Sequence, residues 1–218
     1  MQHLDRALGQ LSVDILAVGQ KVEEALSSAA QAYLGQDMVA ARAVIEGDSE
    51  IDALEVEVEE ECLKVLALHQ PVAADLRYVV TALKVNNDLE RIGDLSANIG
   101  HRTVSLASLG EMHAPTTLSV MSRLSLEMVR KSLEALVDRD TKSAREVLEE
   151  DNRLDELHRR TISELMTLMA SDSSAVSEAT QHLSVSRCFE RIGDLATNIA
   201  EDVIFLVDGD VVRHGGSI

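Results

Sequence analysis

Apolar positions recur at three- and four-residue steps through long stretches of this chain, and this helical period predicts six helices. The first spans about Leu4 to Leu34, the second ends near Leu68 and the third near Ala107. After a link from Ser108 to Pro115, three more follow over about Thr116 to Val137, Asp140 to Ala170 and Ala175 to Val207. Asp37 and Asp140 precede the second and fifth helices and read as N-caps, each offering a carboxylate oxygen to unpaired amides of the first turn. Pro71 fits a first helical turn, where its missing N–H costs nothing.

The pattern is stated twice. Glu90-Arg91-Ile92-Gly93-Asp94-Leu95-Ser96-Ala97-Asn98-Ile99 returns 100 residues later as Glu190-Arg191-Ile192-Gly193-Asp194-Leu195-Ala196-Thr197-Asn198-Ile199. Asp48-Ser49-Glu50-Ile51-Asp52 returns after 103 residues as Asp151-Asn152-Arg153-Leu154-Asp155, so the intervening connection is three residues shorter in the second copy. A tandem duplication of an antiparallel three-helix bundle follows, with residues 1–108 as the first and 109–218 as the second.

Both motif helices carry two stripes. Leu76, Val80, Leu83, Asn87, Glu90, Asp94, Asn98 and His101 share one face of the third helix, which begins apolar and turns polar halfway. Val176, Thr180, Leu183, Arg187, Glu190, Asp194, Asn198 and Glu201 do the same on the sixth. Leu89, Ile92 and Ile99, or Phe189, Ile192 and Ile199, form an apolar stripe opposite, so both faces are expected to be committed.

Composition agrees with an all-α chain: aromatics and prolines are scarce, and 218 residues suffice for a sizeable core. A net charge of −18 repels nucleic acid and anionic membrane surfaces, and suits cations or basic protein surfaces. No uninterrupted apolar run approaches a membrane span and the N-terminus lacks the pattern of a signal peptide, so a cytoplasmic protein without membrane insertion is expected. Cys62 and Cys188 occupy non-equivalent positions of the repeat and are expected to be buried thiols.

The acids offer chemistry. From Glu46 to Glu61 there are nine acids and no base, and Asp48, Asp52, Glu55 and Glu59 share a stripe. A solvated acidic face explains much of this, since like charges one turn apart cost only about 0.2–0.5 kcal/mol per pair. It does not explain why a (D/E)xxxD spacing occurs four times, at Asp48/Asp52, Glu90/Asp94, Asp151/Asp155 and Glu190/Asp194. Such pairs on two neighbouring helices can converge as four hard oxygen donors for a metal ion, to which Asn98, Asn198 and Glu201 can add. A structural polar seam is the other reading. Gly93 and Gly193 point to close helix approach or to room for a ligand, because an interior helical glycine costs about 1 kcal/mol relative to alanine. Arg91 and Arg191 can neutralise acids, contact a partner or simply be solvated, and His158 is a possible ligand beside Asp155.

These motifs resemble the PhoU family. The two Glu-Arg-Ile-Gly-Asp-x-x-x-Asn copies, Gln70-Pro71-x-Ala73-x-Asp75-Leu76-Arg77, Val44-Ile45-Glu46-Gly47-Asp48 and Val212-Arg213-His214-Gly215-Gly216 carry the resemblance over nearly the whole chain. It implies two similar three-helix bundles with metal ions on (D/E)xxxD motifs, whether iron, zinc, manganese or magnesium. It also implies homodimers, and regulation without catalysis: restraint of a phosphate ABC transporter and of a phosphate-sensing histidine kinase through contacts with the transporter ATPase and that kinase. His101 departs from the family pattern where the second half has Glu201. A carboxylate-bridged redox enzyme is disfavoured because the repeated positions lack Glu-x-x-His, and a purely structural helical adaptor stays open.

Overall fold

The computed structural model describes residues 2–110 and 114–209, and the Val212 to Gly216 motif lies outside them. Among the described residues six α-helices run in order: α1 (Gln2–Gly35), α2 (Met38–His69), α3 (Ala73–Ala107), α4 (Thr116–Asp138), α5 (Thr141–Ser171) and α6 (Val176–Asp208). A 3₁₀ turn, Ser173–Ala175, precedes α6 and is capped by Asp172, whose carboxylate accepts from the Ser174 amide. At about 1.5 Å per residue these rods are roughly 35–50 Å long. The N-caps are as expected: Asp37 accepts from the Val39 and Ala40 amides, and Asp140 from Lys142 and Ser143. Pro71 lies outside α3, because Gln70 caps α2 in the left-handed region and extended Val72 caps α3.

Helices α1, α2 and α3 pack on one another, and so do α4, α5 and α6, giving two three-helix bundles. They are joined along α3 and α6. Lys84 pairs with Asp202, Asp88 bonds Asn198 and Arg102 bonds Gln181, so rising numbers on α3 meet falling numbers on α6 and the two helices are antiparallel. Leu89, Ile92, Ile99, Phe189, Ile192 and Ile199 are fully buried, and one continuous apolar core runs through both bundles. The opposite stripe is less committed than its pattern suggests. Leu76 and Val176, which begin it in each half, are 41% and 42% exposed.

A buried polar contact ties α1 to α6. The Tyr33 hydroxyl lies 2.7 Å from His182 Nδ1, while Nε2 faces Glu178 at 3.4 Å. A carboxylate can only accept, so Nε2 carries the proton and Tyr33 donates to Nδ1. Burial holds the His182 imidazole below its ordinary pKa, against the pull of Glu178. Tyr33→Phe strands that acceptor and is expected to destabilise the chain by about 1–3 kcal/mol in denaturant unfolding, with helicity unchanged. Cys62 and Cys188 are both free and buried, and desolvation pushes their thiols up to about 12 and about 11.

Candidate metal centre

The repeated motifs meet through one apolar contact in each half. Ile51 sits inside the Asp48-to-Asp52 pair and is buried against Gly93 of α3; a Cβ at residue 93 would lie 3.1 Å from Ile51 Cδ1. Leu154 sits likewise inside Asp151-to-Asp155, and a Cβ at residue 193 would lie only 2.3 Å from its Cδ2. The same glycines receive a carboxylate: Asp48 Oδ1 and Asp151 Oδ1 each lie 3.4 Å from the hypothetical Cβ. Close packing therefore accounts for both glycines, and it brings α2 alongside Glu90 and Asp94, and α5 alongside Glu190 and Asp194.

Charge follows geometry. Burial raises the Asp48 carboxyl above its ordinary pKa, Asp52 and Asp94 raise it further, and His101 opposes them. Glu90 is raised by burial and then by Asp94, Asp52, Glu55 and Asp48. In the second half Asp151 is pushed up to about 6 by burial, Asp155 and Asp194. Glu190 is raised by burial, Asp194, Asp155 and Asp151, and Asp194 by burial and Asp155 against Arg191 and His158. Eight of the carboxylates named from the sequence thus form two groups of four that repel across the helix pairs.

The remaining candidates divide. Asp151, Asp194, Asn198 and Glu201 line a cleft of about 610 Å³ together with Arg91 and Arg191. Asn198 bonds Asp88 across the bundle junction, where burial lifts the Asp88 carboxyl to about 6 while Arg91, 3.3 Å away, pulls it down. Its repeat equivalent Asn98 is exposed, and Cys188 stands where the repeat has Asp88. The His101 charge acts on Asp48, and His158 is half-buried, its pKa held below the ordinary value by burial and Arg187 against Asp155 and Asp194. Asn86 was missed by the sequence reading: it is fully buried on α3 and its Nδ2 donates to the Glu55 carbonyl at 2.9 Å. Its place one turn before Glu90 was the available signal.

Two PhoU domains match the chain, over residues 15–103 and 118–203. The chain belongs to the PhoU family. A phosphate-specific transport system accessory protein PhoU homolog of Zymomonas mobilis is 38% identical over 94% of this chain and 86% of its own length. The PhoU protein of Escherichia coli K12, with the same accessory-protein name, is 34% identical over 96% of this chain and 87% of its own. The crystal structure of PhoU from Pseudomonas aeruginosa superposes with a TM-score of 0.92 at 34% identity, covering 94% of this chain and 99% of that one. A PhoU structure from Streptococcus pneumoniae gives 0.89 at 29% identity, covering 97% and 100%. The PhoU fold of two three-helix bundles is thus common to all three, and no described helix is long and apolar enough to cross a membrane.

The donor types, taken by their chemistry, suit a cation. All eight paired groups are carboxylates suited to hard or borderline cations, and the raised carboxyl groups mark negative potential that a cation would relieve. Among the described residues no three His, Cys, Asp or Glu side chains are gathered tightly enough to hold an ion as they stand.

Proposed function

We propose that this protein is a metal-binding, non-catalytic regulator of phosphate uptake, restraining a phosphate transporter and the phosphate-starvation response through contacts with the transporter ATPase and a sensor histidine kinase. The observation that carries the metal part is the pair of four-carboxylate groups set across α2/α3 and α5/α6 by the Gly93 and Gly193 contacts. Asp48, Asp52, Glu90 and Asp94 would hold metal in the first half. Asp151, Asp155, Glu190 and Asp194 would do so in the second. A bound cation offsets part of each group's charge and ties two helices together, stabilising the folded state by an amount that grows with the logarithm of its concentration above the Kd.

Regulatory function is supported by family membership and by relatives named as accessory proteins of phosphate-specific transport. The acidic surface suits docking on basic patches of a partner, and regulation of this kind needs different affinities for two partner states rather than turnover by Glu90 or Asp94. A strain lacking the protein is expected to take up phosphate and express starvation genes in rich medium, with normal repression restored by the gene. Uptake of radiolabelled phosphate and a starvation-gene reporter check this. Intact repression in the deletion strain contradicts it.

A further inference from the structure

Aliphatic side chains stand out of the outer face of α2 and α3. Asp52, Val56, Glu59 and Leu63 step by three or four along α2, and Leu76, Val80 and Leu83 do so along α3, so each set shares one face of its helix. The two helices are antiparallel: Ile51 meets Gly93, Asn86 bonds Glu55, and Cys62 stands near enough to Tyr78 for its charge to act there. This register sets the Leu63 turn level with Val80 and the Glu59 turn level with Leu83. Val56, Leu63, Leu76 and Val80 are between 36% and 53% exposed, and Leu83 is partly buried against the core. The result is a shallow apolar groove about two helical turns, or roughly 10 Å, long.

Acids border this groove. Asp52, Glu55 and Glu59 stand along its α2 wall, Glu90 continues its α3 wall, and no base lies between Glu46 and Glu61. The cations nearest in sequence are engaged elsewhere. Lys64 pairs with Glu60 and Glu61 and lines a cleft with Gln10 and Asp14 of α1, Lys84 pairs with Asp202 of α6, and Arg77 reaches the end of α6 at Gly209. The equivalent surface of the second half is also apolar, with Ile162, Met166, Val176 and Leu183 at the matching positions. There, however, the exposed Arg159 and Arg187 replace Val56 and Asn87, and the Arg187 charge acts on His158 of α5. Only the first-half groove combines an apolar floor with a border of acids and no base.

Resting on the regulatory reading above, we propose that the groove between α2 and α3 docks an amphipathic helix of the regulated partner, one whose apolar stripe is flanked by Lys or Arg. Two helices packed about 8–10 Å apart leave a furrow between them, and a third helix fills it with side chains spaced at i, i+3 or i+4, and i+7. Leu63, Leu76 and Val80 receive those anchors, and Glu55 and Glu59 face the flanking bases. Burial of the anchors supplies the affinity, while the acids speed encounter and exclude acidic partners. Arg159 and Arg187 repel the same basic helix from the second half, so the duplicated surface offers one docking site rather than two.

The test measures calorimetric binding of the full chain to the purified transporter ATPase and to the cytoplasmic part of the sensor kinase from the same host. Leu63→Ser with Val80→Ser changes only exposed side chains, and is expected to weaken binding to one of these partners by about tenfold or more. Met166→Ser with Val176→Ser, the matched change in the second half, is expected to alter it by less than about twofold. Glu59→Lys should weaken it by about threefold or more and flatten its dependence on salt. Circular dichroism checks that each variant stays helical. Hydrogen exchange of the wild-type complex should protect the turns carrying Leu63 and Val80, together with one helical partner segment bearing Lys or Arg beside its apolar stripe. Unchanged affinity in the first-half variant, equal losses from both halves, or protection of an acidic partner segment overturns the docking site and leaves the regulatory reading standing. A wild-type chain that binds neither partner overturns both.

Discussion

Gly193→Ala is expected to destabilise the chain by about 1–3 kcal/mol, whereas Gly93→Ala, the same change in the other copy, is expected to be near neutral. Alanine gains about 1 kcal/mol of helix propensity over glycine at either site. At residue 93 the new Cβ meets the flexible Cδ1 and Cγ2 of Ile51 at 3.1 and 3.2 Å, and a shift of a few tenths of an ångström accommodates it. At residue 193 it lands 2.3 Å from Leu154 Cδ2. Leu154 is fully buried, so its side chain has little room to retreat, and Met128 Cε lies 3.5 Å from the same Cβ. Relief must come from moving α5 off α6, which also carries Asp151 and Asp155 away from Glu190 and Asp194. Urea unfolding of the two variants checks the contrast, and equal stabilities would show that the glycine contacts do not set the helix spacing.

Asp151→Asn is expected to stabilise the metal-free chain at pH 7.5 by about 1–2 kcal/mol, or roughly 2–8 °C in Tm, and to weaken metal binding in the second half. Asp151 titrates near 6 in the fold against 3.8 for an ordinary aspartate. A rise of about two units corresponds to about 3 kcal/mol, reduced here because the carboxyl is partly solvated. The sign follows from the raised value: the contribution of the protonated form is complete below about 3.8 and is lost as the pH rises through about 6. Asparagine mimics that protonated form, so its advantage is full at pH 7.5, shrinks below pH 6 and vanishes toward pH 4. With metal present the order reverses, because the wild-type chain alone retains the carboxylate ligand. Thermal unfolding at pH 7.5 and 4.5, with and without added Zn²⁺, measures this. A destabilised metal-free variant at pH 7.5 would contradict the repulsion described for the group.

What was legible in the sequence is what repeats locally. The six helices, the caps at Asp37 and Asp140, and the four (D/E)xxxD pairs follow from spacing along single helices, where i, i+3 and i+4 neighbours decide which side chains share a face. Close helix approach at Gly93 and Gly193 was one of the two readings of those glycines, while their partners, Ile51 and Leu154, emerge only from the packing of α2 on α3 and of α5 on α6. The junction between bundles was not legible. Lys84, Asp88, Asn198 and Asp202 meet only because α3 and α6 run antiparallel, and their repeat equivalents Ser184, Cys188, Asn98 and Arg102 cannot make the same bonds. Asn198, expected beside a metal, is for that reason held by Asp88, and the Tyr33 to His182 bond has no counterpart at Leu136 and Ala82.

The central claim is that the duplicated carboxylate pairs bind metal, one site in each half. Its most direct measurement is elemental analysis of the full chain purified without chelator, beside the variant carrying Glu90→Gln, Asp94→Asn, Glu190→Gln and Asp194→Asn. These changes remove charge with little change of volume, so helicity by circular dichroism should persist while bound metal is lost from both halves. Metal content equal to that of the wild-type chain, in a variant that remains helical, would contradict the account.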